Sequence, residues 1–133
     1  MAGIYVHIPF CRKACTYCDF HFSTTGNKEP LLDAMEMELV RRAREVGDAP
    51  VSTIYFGGGT PSLLEPARIA ALLQQCSDLL RVQRDAEVTL EANPDDITAE
   101  RLEHWKVVGI TRLSLGTQSF RADRLKWMGR AHN

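Results

Sequence analysis

The sequence predicts an α/β fold, the amino-terminal part of a partial TIM-like (β/α) barrel with parallel strands. Short apolar runs rich in β-branched residues recur at residues 4–8, 53–56, 87–90 and 110–115, and segments of helical period separate them. The residues least ordinary for a globular chain gather directly after each run. Strand and helix alternating at this rhythm imply βαβ units with right-handed crossovers. A closed barrel takes about 250 residues. The 133 residues here therefore read as a single domain, 1–133, that is the opening portion of a larger barrel.

The elements follow in order. The first strand runs through Ile4, Val6 and Ile8 and meets Pro9. A helix over residues 30–46 places Leu32, Met35, Leu39, Ala43 and Val46 on one stripe, with charges opposite and Gly47 available to end it. After the second strand, a helix begins near Pro66, a good first-turn residue, and turns Ile69, Leu72, Leu73, Cys76, Leu79 and Leu80 inward. A third helix starts with Thr98 as N-cap and Glu100 in its first turn, buries Leu102, Trp105 and Val108, and stops at Gly109. A fourth is expected after Phe120.

Composition bounds the function. The chain is 44% hydrophobic and 25% charged, with a net charge of -1 and scattered Lys and Arg, which argues against a nucleic-acid partner and for a small-molecule site. No stretch has the layout of a signal peptide or approaches the length of a membrane span, so a cytoplasmic protein without an integral membrane segment is expected. In a reducing compartment, clustered thiols hold a metal or react more often than they pair.

Cys11, Cys15 and Cys18 form such a cluster, C-x3-C-x2-C, directly after the first strand. A cubane iron-sulfur centre normally takes four thiolates, so three would leave one iron open to an exogenous ligand. Phe10, Tyr17, Phe20 and Phe22 offer an apolar shell around it. The spacing also admits a structural zinc held by the same cysteines and His21. Both readings stand on spacing alone.

Three further loops share that rim, where the catalytic loops of α/β barrels meet. Gly57-Gly58-Gly59-Thr60-Pro61-Ser62 follows the second strand; its glycines let backbone approach a ligand closely, although the run lacks a P-loop lysine and also reads as a tight turn. Glu91, at the end of the third strand, could accept hydrogen bonds from hydroxyl or ammonium groups, and Gln118, after the fourth, could donate and accept. Arg130 could clamp a carboxylate with two parallel bonds. Cys76 reads as a small core hydrophobe, His7 as a packing residue within a strand and His104 as a solvated helix residue.

With these residues in place, the chain resembles the radical S-adenosylmethionine superfamily. Within it, the likeness is to the branch containing oxygen-independent coproporphyrinogen III oxidases and the HemW haem chaperones. The likeness runs through Tyr-Val-His-Ile-Pro-Phe-Cys at residues 5–11, Tyr-Phe-Gly-Gly-Gly-Thr-Pro-Ser, Leu-Glu-Ala-Asn-Pro, Leu-Gly-Thr-Gln-Ser-Phe and Met-Gly-Arg-Ala-His. It implies that Cys11, Cys15 and Cys18 hold a 4Fe-4S cluster whose open iron binds S-adenosylmethionine, and it makes zinc improbable. By matching positions it implies contacts to S-adenosylmethionine from Tyr5, Tyr17, Gly58, Gly59, Thr60, Glu91, Gln118 and Arg130. An electron donor would then serve the cluster. The oxidases resemble C-x3-C-x2-C-x-C, and the position of their extra cysteine is Phe20 here, which favours the chaperones. That side of the branch implies binding of haem and its transfer to acceptor proteins, with the haem-binding residues farther along the chain. The oxidase side implies radical decarboxylation in porphyrin biosynthesis.

Overall fold

The computed structural model describes residues 1–24, 26–130 and 132. Ala131, which belongs to the Met-Gly-Arg-Ala-His string, and Asn133 lie outside the described residues. Four parallel strands, β1 (Ala2–Ile8), β2 (Val51–Gly58), β3 (Val82–Ala92) and β4 (Arg112–Leu115), form one sheet in the order of the sequence. Helices α1 (Glu29–Val46), α2 (Pro66–Leu79) and α3 (Ala99–Val108) connect them, and α4 (Ala122–Trp127) follows β4. Sequential order with right-handed crossovers puts successive helices on the same side of the sheet. This is the opening segment of a barrel wall.

Register assigns the paired strand residues to a face. Tyr5 pairs with Tyr55, His7 with Gly57, Tyr55 with Thr89 and Glu91 with Ser114, so these side chains share the face without helices. Ile54, Phe56, Val88 and Leu90 point the other way and are buried against Leu32 of α1, Ile69, Leu72 and Cys76 of α2, and Trp105 of α3. One layer of helices thus seals one face and leaves the other for the site.

The helix boundaries have local causes. Pro30 and Pro66 stand in the first turns of α1 and α2, where the missing N–H costs nothing. Thr98 caps α3 by accepting from the Arg101 amide at 3.2 Å. Gly109 ends α3 at φ 104°, a left-handed conformation that glycine adopts without penalty.

Two expected core residues are not enclosed. Leu79 is 40% and Leu102 38% exposed. Leu79 is the last residue of α2, and the following Leu80 turns extended and takes the buried place instead. On α3, Trp105 fills the contact with the sheet, while Leu102 stands about 60° around the helix axis from it. The third strand also begins earlier than expected. Val82 pairs with Val51, but the intervening Gln83, Arg84 and Asp85 are polar and exposed and carry no apolar strand signal.

Candidate cofactor-binding site

A cavity of about 370 Å³ opens at the carboxyl ends of the strands. That volume lies within the roughly 300–1,000 Å³ of small-molecule sites. Cys11, Cys15, Tyr17 and Cys18 line it from the first loop, Gly58, Gly59 and Thr60 from the second, Glu91 and Asn93 from the third, and Gln118 and Arg130 from beyond β4. The four loops singled out in the sequence therefore converge on one space.

The cysteine loop is held at its base. The Cys11 amide donates to the Ser23 carbonyl at 2.9 Å, and the Thr16 amide donates to Met128 at 3.3 Å. All four cysteines carry free thiols. Burial pushes the Cys11 thiol above its ordinary value, opposed by a hydrogen bond with Thr60 and by the Arg130 guanidinium. Burial likewise raises Cys18, and the neighbouring Cys15 and Cys11 add to the rise. Three soft sulfur donors gathered in one loop suit an iron centre that binds them as thiolates.

The glycine run spends its amides on the protein itself rather than on a phosphate. The Gly58 amide donates to Glu91 Oε2 at 3.0 Å, the Gly59 amide to the Ile8 carbonyl at 2.8 Å and the Thr60 amide to Phe10 at 2.6 Å. All three donors are committed within the protein. Glycine is required here because backbone meets backbone: a Cβ on Gly59 would lie 2.6 Å from the Phe10 carbonyl oxygen. Gly58, at φ +106°, faces the His7 ring, where a Cβ would come within 2.7 Å. The run is a tight turn, and the close approach its glycines permit is made here by the protein's own backbone and the His7 ring.

Glu91 is oriented by two donors, the Gly58 amide and the Tyr55 hydroxyl at 2.7 Å. The bond to Glu91 is also the main cause of a raised Tyr55 pKa. Gln118 is exposed and sits at φ 64°, an uncommon conformation for a residue with a side chain. Arg130 Nη2 donates to Asn93 Oδ1 at 2.7 Å and to the Gly116 carbonyl, while Nη1 reaches the Tyr17 hydroxyl at 3.2 Å and Cys15 Sγ at 3.8 Å. Its terminal donors thus stitch the cysteine loop to the ends of β3 and β4. The parallel pair expected to clamp a carboxylate is engaged by the protein, and Nε is buried without a partner.

Tyr5 does not line the cavity. It is 58% exposed on the open face of the sheet, paired with His7 Nδ1 at 3.2 Å and stacked on Tyr55 at 6.0 Å between centroids. His7 is exposed on that face, edge-on to Phe20, rather than enclosed. Tyr17 and Phe20 line the cavity, Phe22 packs on Phe20, and Phe10 is buried beneath the loop. Cys76 is buried in the core and burial lifts its thiol to about 11. Sequence reasoning missed Tyr55 and Asn93 as site residues. Strand alternation could have found Tyr55, two residues before Gly57, whereas the bonds of Asn93 to Thr60 and Arg130 cross loops.

The donor set fits an iron-sulfur cluster: three soft thiols from one loop share one cavity, with a guanidinium beside them to balance an anionic centre. Among the described residues, no group of three or more His, Cys, Asp or Glu side chains is arranged to hold a single metal ion. A cubane binds each thiolate through a different iron and needs no such convergence. His21, the fourth donor of a zinc set, is exposed and outside the cavity lining.

A partial barrel wall with a three-cysteine loop at its carboxyl rim defines a class, and the comparison with known families agrees. The Radical SAM superfamily profile matches residues 5–133, and the chain belongs to that superfamily. Among curated relatives, "Heme chaperone HemW" of Bacillus subtilis (strain 168) is 38% identical over 99% of this chain and 36% of its own length. The protein of the same name from Escherichia coli (strain K12) is 39% identical over 98% of this chain and 35% of its own. "Radical S-adenosyl methionine domain-containing protein 1, mitochondrial" of Danio rerio is 37% identical over 99% and 30%. The chain thus spans about a third of the length of these relatives. A solved structure, described as "Coproporphyrinogen III oxidase (HemN) from Escherichia coli is a Radical SAM enzyme", superposes with a TM-score of 0.87 at 34% identity over 98% of this chain and 31% of that one. No helix among the described residues is long and apolar enough to cross a membrane.

Proposed function

We propose that residues 1–133 form the cofactor-binding core of a HemW-like haem carrier in the cytoplasm. In this reading Cys11, Cys15 and Cys18 hold a 4Fe-4S cluster, and S-adenosylmethionine lies over it in the cavity. Bound there, the cluster would supply an electron for reductive cleavage of a sulfonium, and the protein contributes orientation and exclusion of side reactions. Glu91, fixed by Tyr55 and the Gly58 amide, offers its remaining lone pairs to hydroxyl or ammonium groups. Gln118 adds a donor and an acceptor, and Tyr17 an aromatic wall. With the amides of Gly58, Gly59 and Thr60 committed, this loop meets a ligand through carbonyls, the Thr60 side chain and surface shape. Arg130 contributes positive charge beside the sulfurs. Tyr5 extends the contact surface along the open face, beside Tyr55.

The observation that carries the choice of chaperone is Phe20. It occupies the position where the oxidases resemble a further cysteine, and it lines the cavity while packing against His7 and Phe22. An aromatic ring there removes a thiol from the mouth of the site. Haem titration of the full-length protein, reconstituted without oxygen, tests the reading. A shifted Soret band and haem passage to acceptor proteins are expected, and an unchanged haem spectrum would falsify it.

The similarity to the HemN structure favours a second reading, oxidative decarboxylation of coproporphyrinogen III. A product assay decides: protoporphyrinogen formed by the full-length protein with an electron donor and S-adenosylmethionine reverses the ranking. A zinc-stabilised binding module is the third reading. Metal analysis after oxygen-free purification separates it, since one zinc per chain without iron or sulfide excludes the cluster.

A further inference from the structure

We propose that Asp96 is a positioning residue for the cysteine loop, gripping Arg12 so that the segment between Cys11 and Cys15 keeps the shape in which the three sulfurs close on one cluster. The inference rests on the cluster reading above and deepens it. Asp96 ends a short 3-10 turn, Pro94–Asp96, after β3, and its side chain is 1% exposed. Ser62, fully buried in the matching turn Pro61–Leu63 after β2, donates its hydroxyl to Asp96 Oδ2 at 2.6 Å. Arg12, the residue after Cys11, donates Nη2 to Asp96 Oδ1 at 2.5 Å across 84 positions of sequence. Arg101 of α3 approaches the same oxygen at 3.5 Å.

A carboxylate taken out of water is costly unless ion pairs and hydrogen bonds compensate it. Ser62 and Arg101 anchor Asp96 to the rigid side of the rim, so Arg12 is the partner that can leave. Its departure would strip the closest cation from a buried charge and leave a guanidinium at longer range. The loop is anchored on either side, at the Cys11 and Thr16 amides and by Arg130 on Cys15. Between these anchors Arg12, Lys13 and Ala14 are exposed and belong to neither helix nor strand, so the ion pair holds the stretch the anchors leave free. The planar fork of arginine suits a fixed carboxylate better than a lysine ammonium. The pair therefore opposes opening of the loop at the point where opening would release Cys11.

The test uses the full-length protein reconstituted anaerobically, with iron release to an excess of chelator as readout and apo-protein melting measured in parallel. Arg12→Met and Asp96→Asn are each expected to release iron about ten-fold faster, the scale at which outer partners of metal ligands act. The double variant should be no faster than the faster single variant, and Arg12→Lys should recover part of the loss. Arg101→Met touches the same carboxylate but not the loop, so it should lower the melting temperature without hastening release. Because Arg12 is half exposed, Arg12→Met keeps the test open even where Asp96→Asn fails to fold. Unchanged release in Arg12→Met, or release from Arg101→Met as fast as from Arg12→Met, overturns the proposal alone. A wild-type protein that takes up no iron and sulfide overturns it together with the cluster reading.

Discussion

The two faces of the sheet are made from alternate residues of the same strands, yet they follow opposite rules. On the helix-covered face Ile54, Phe56, Val88 and Leu90 are almost without solvent and belong to one apolar cluster. On the other, Tyr5, His7, Tyr55, Glu91 and Ser114 carry hydroxyl, imidazole and carboxylate groups, with bonds from Tyr5 to His7 along a strand and from Tyr55 to Glu91 and Ser114 across strands. The contrast separates stability from chemistry at the level of single residues: neighbours in sequence serve different ends because their side chains point opposite ways.

Substitutions can break that contrast, and the largest effect belongs to the rim above the open face. Replacing Cys11, Cys15 or Cys18 by alanine should abolish iron and sulfide uptake, whereas Cys76→Ala, on the covered side, should leave iron content intact. Equal iron loss in both groups, by metal analysis of reconstituted protein, would erase the distinction. Next, Phe56→Ala should cost about 3–5 kcal/mol in urea unfolding, as expected for an emptied aromatic site in a packed core. Tyr5→Ala, more than half exposed on the other face, should cost less than about 1 kcal/mol on the same scale.

The covered face also makes a prediction about pH. Burial raises the Cys76 thiol from the ordinary 9.0 to about 11, so between these values the folded protein retains a proton that the unfolded chain releases. Stability from this group is complete below pH 9 and falls as pH rises through 11, by at most about 3 kcal/mol in all. Urea midpoints of the wild type minus those of Cys76→Ala should show that decline, and a flat difference would place the thiol in water. A comparably small effect falls on the open face. Tyr55→Phe removes one donor from Glu91 and should cost about 0.5–1.5 kcal/mol, with S-adenosylmethionine binding weakened by calorimetry while iron content holds.

The strands and helices were legible because their signals are local: β-branched runs, a threonine cap at Thr98, a terminal glycine at Gly109. The cavity was legible too, since topology alone sends the loops after parallel strands to one rim. What escaped depends on partners far apart in the chain. Nothing near Arg130 announces that its fork is filled by Asn93 and Gly116, or near Asp96 that Arg12 and Ser62 surround it. Helix periodicity counted Leu79 and Leu102 as inward because it registers spacing but not where a helix ends or which neighbour fills the contact. The glycine run showed that backbone is approached closely and left open whether a ligand or the protein approaches it.

The stitch between Arg130 and the first loop has a consequence for how such a chain is born. Its bonds to Cys15 and Tyr17 join residues 115 and 113 positions apart. At roughly 5–20 residues per second, translation takes about 6–23 s to travel from the one to the other. For that interval the thiols emerge from the ribosome before the arginine that will cover them exists. In such a newborn chain the loop carrying the thiols is synthesised before the residue that ties it to β3 and β4.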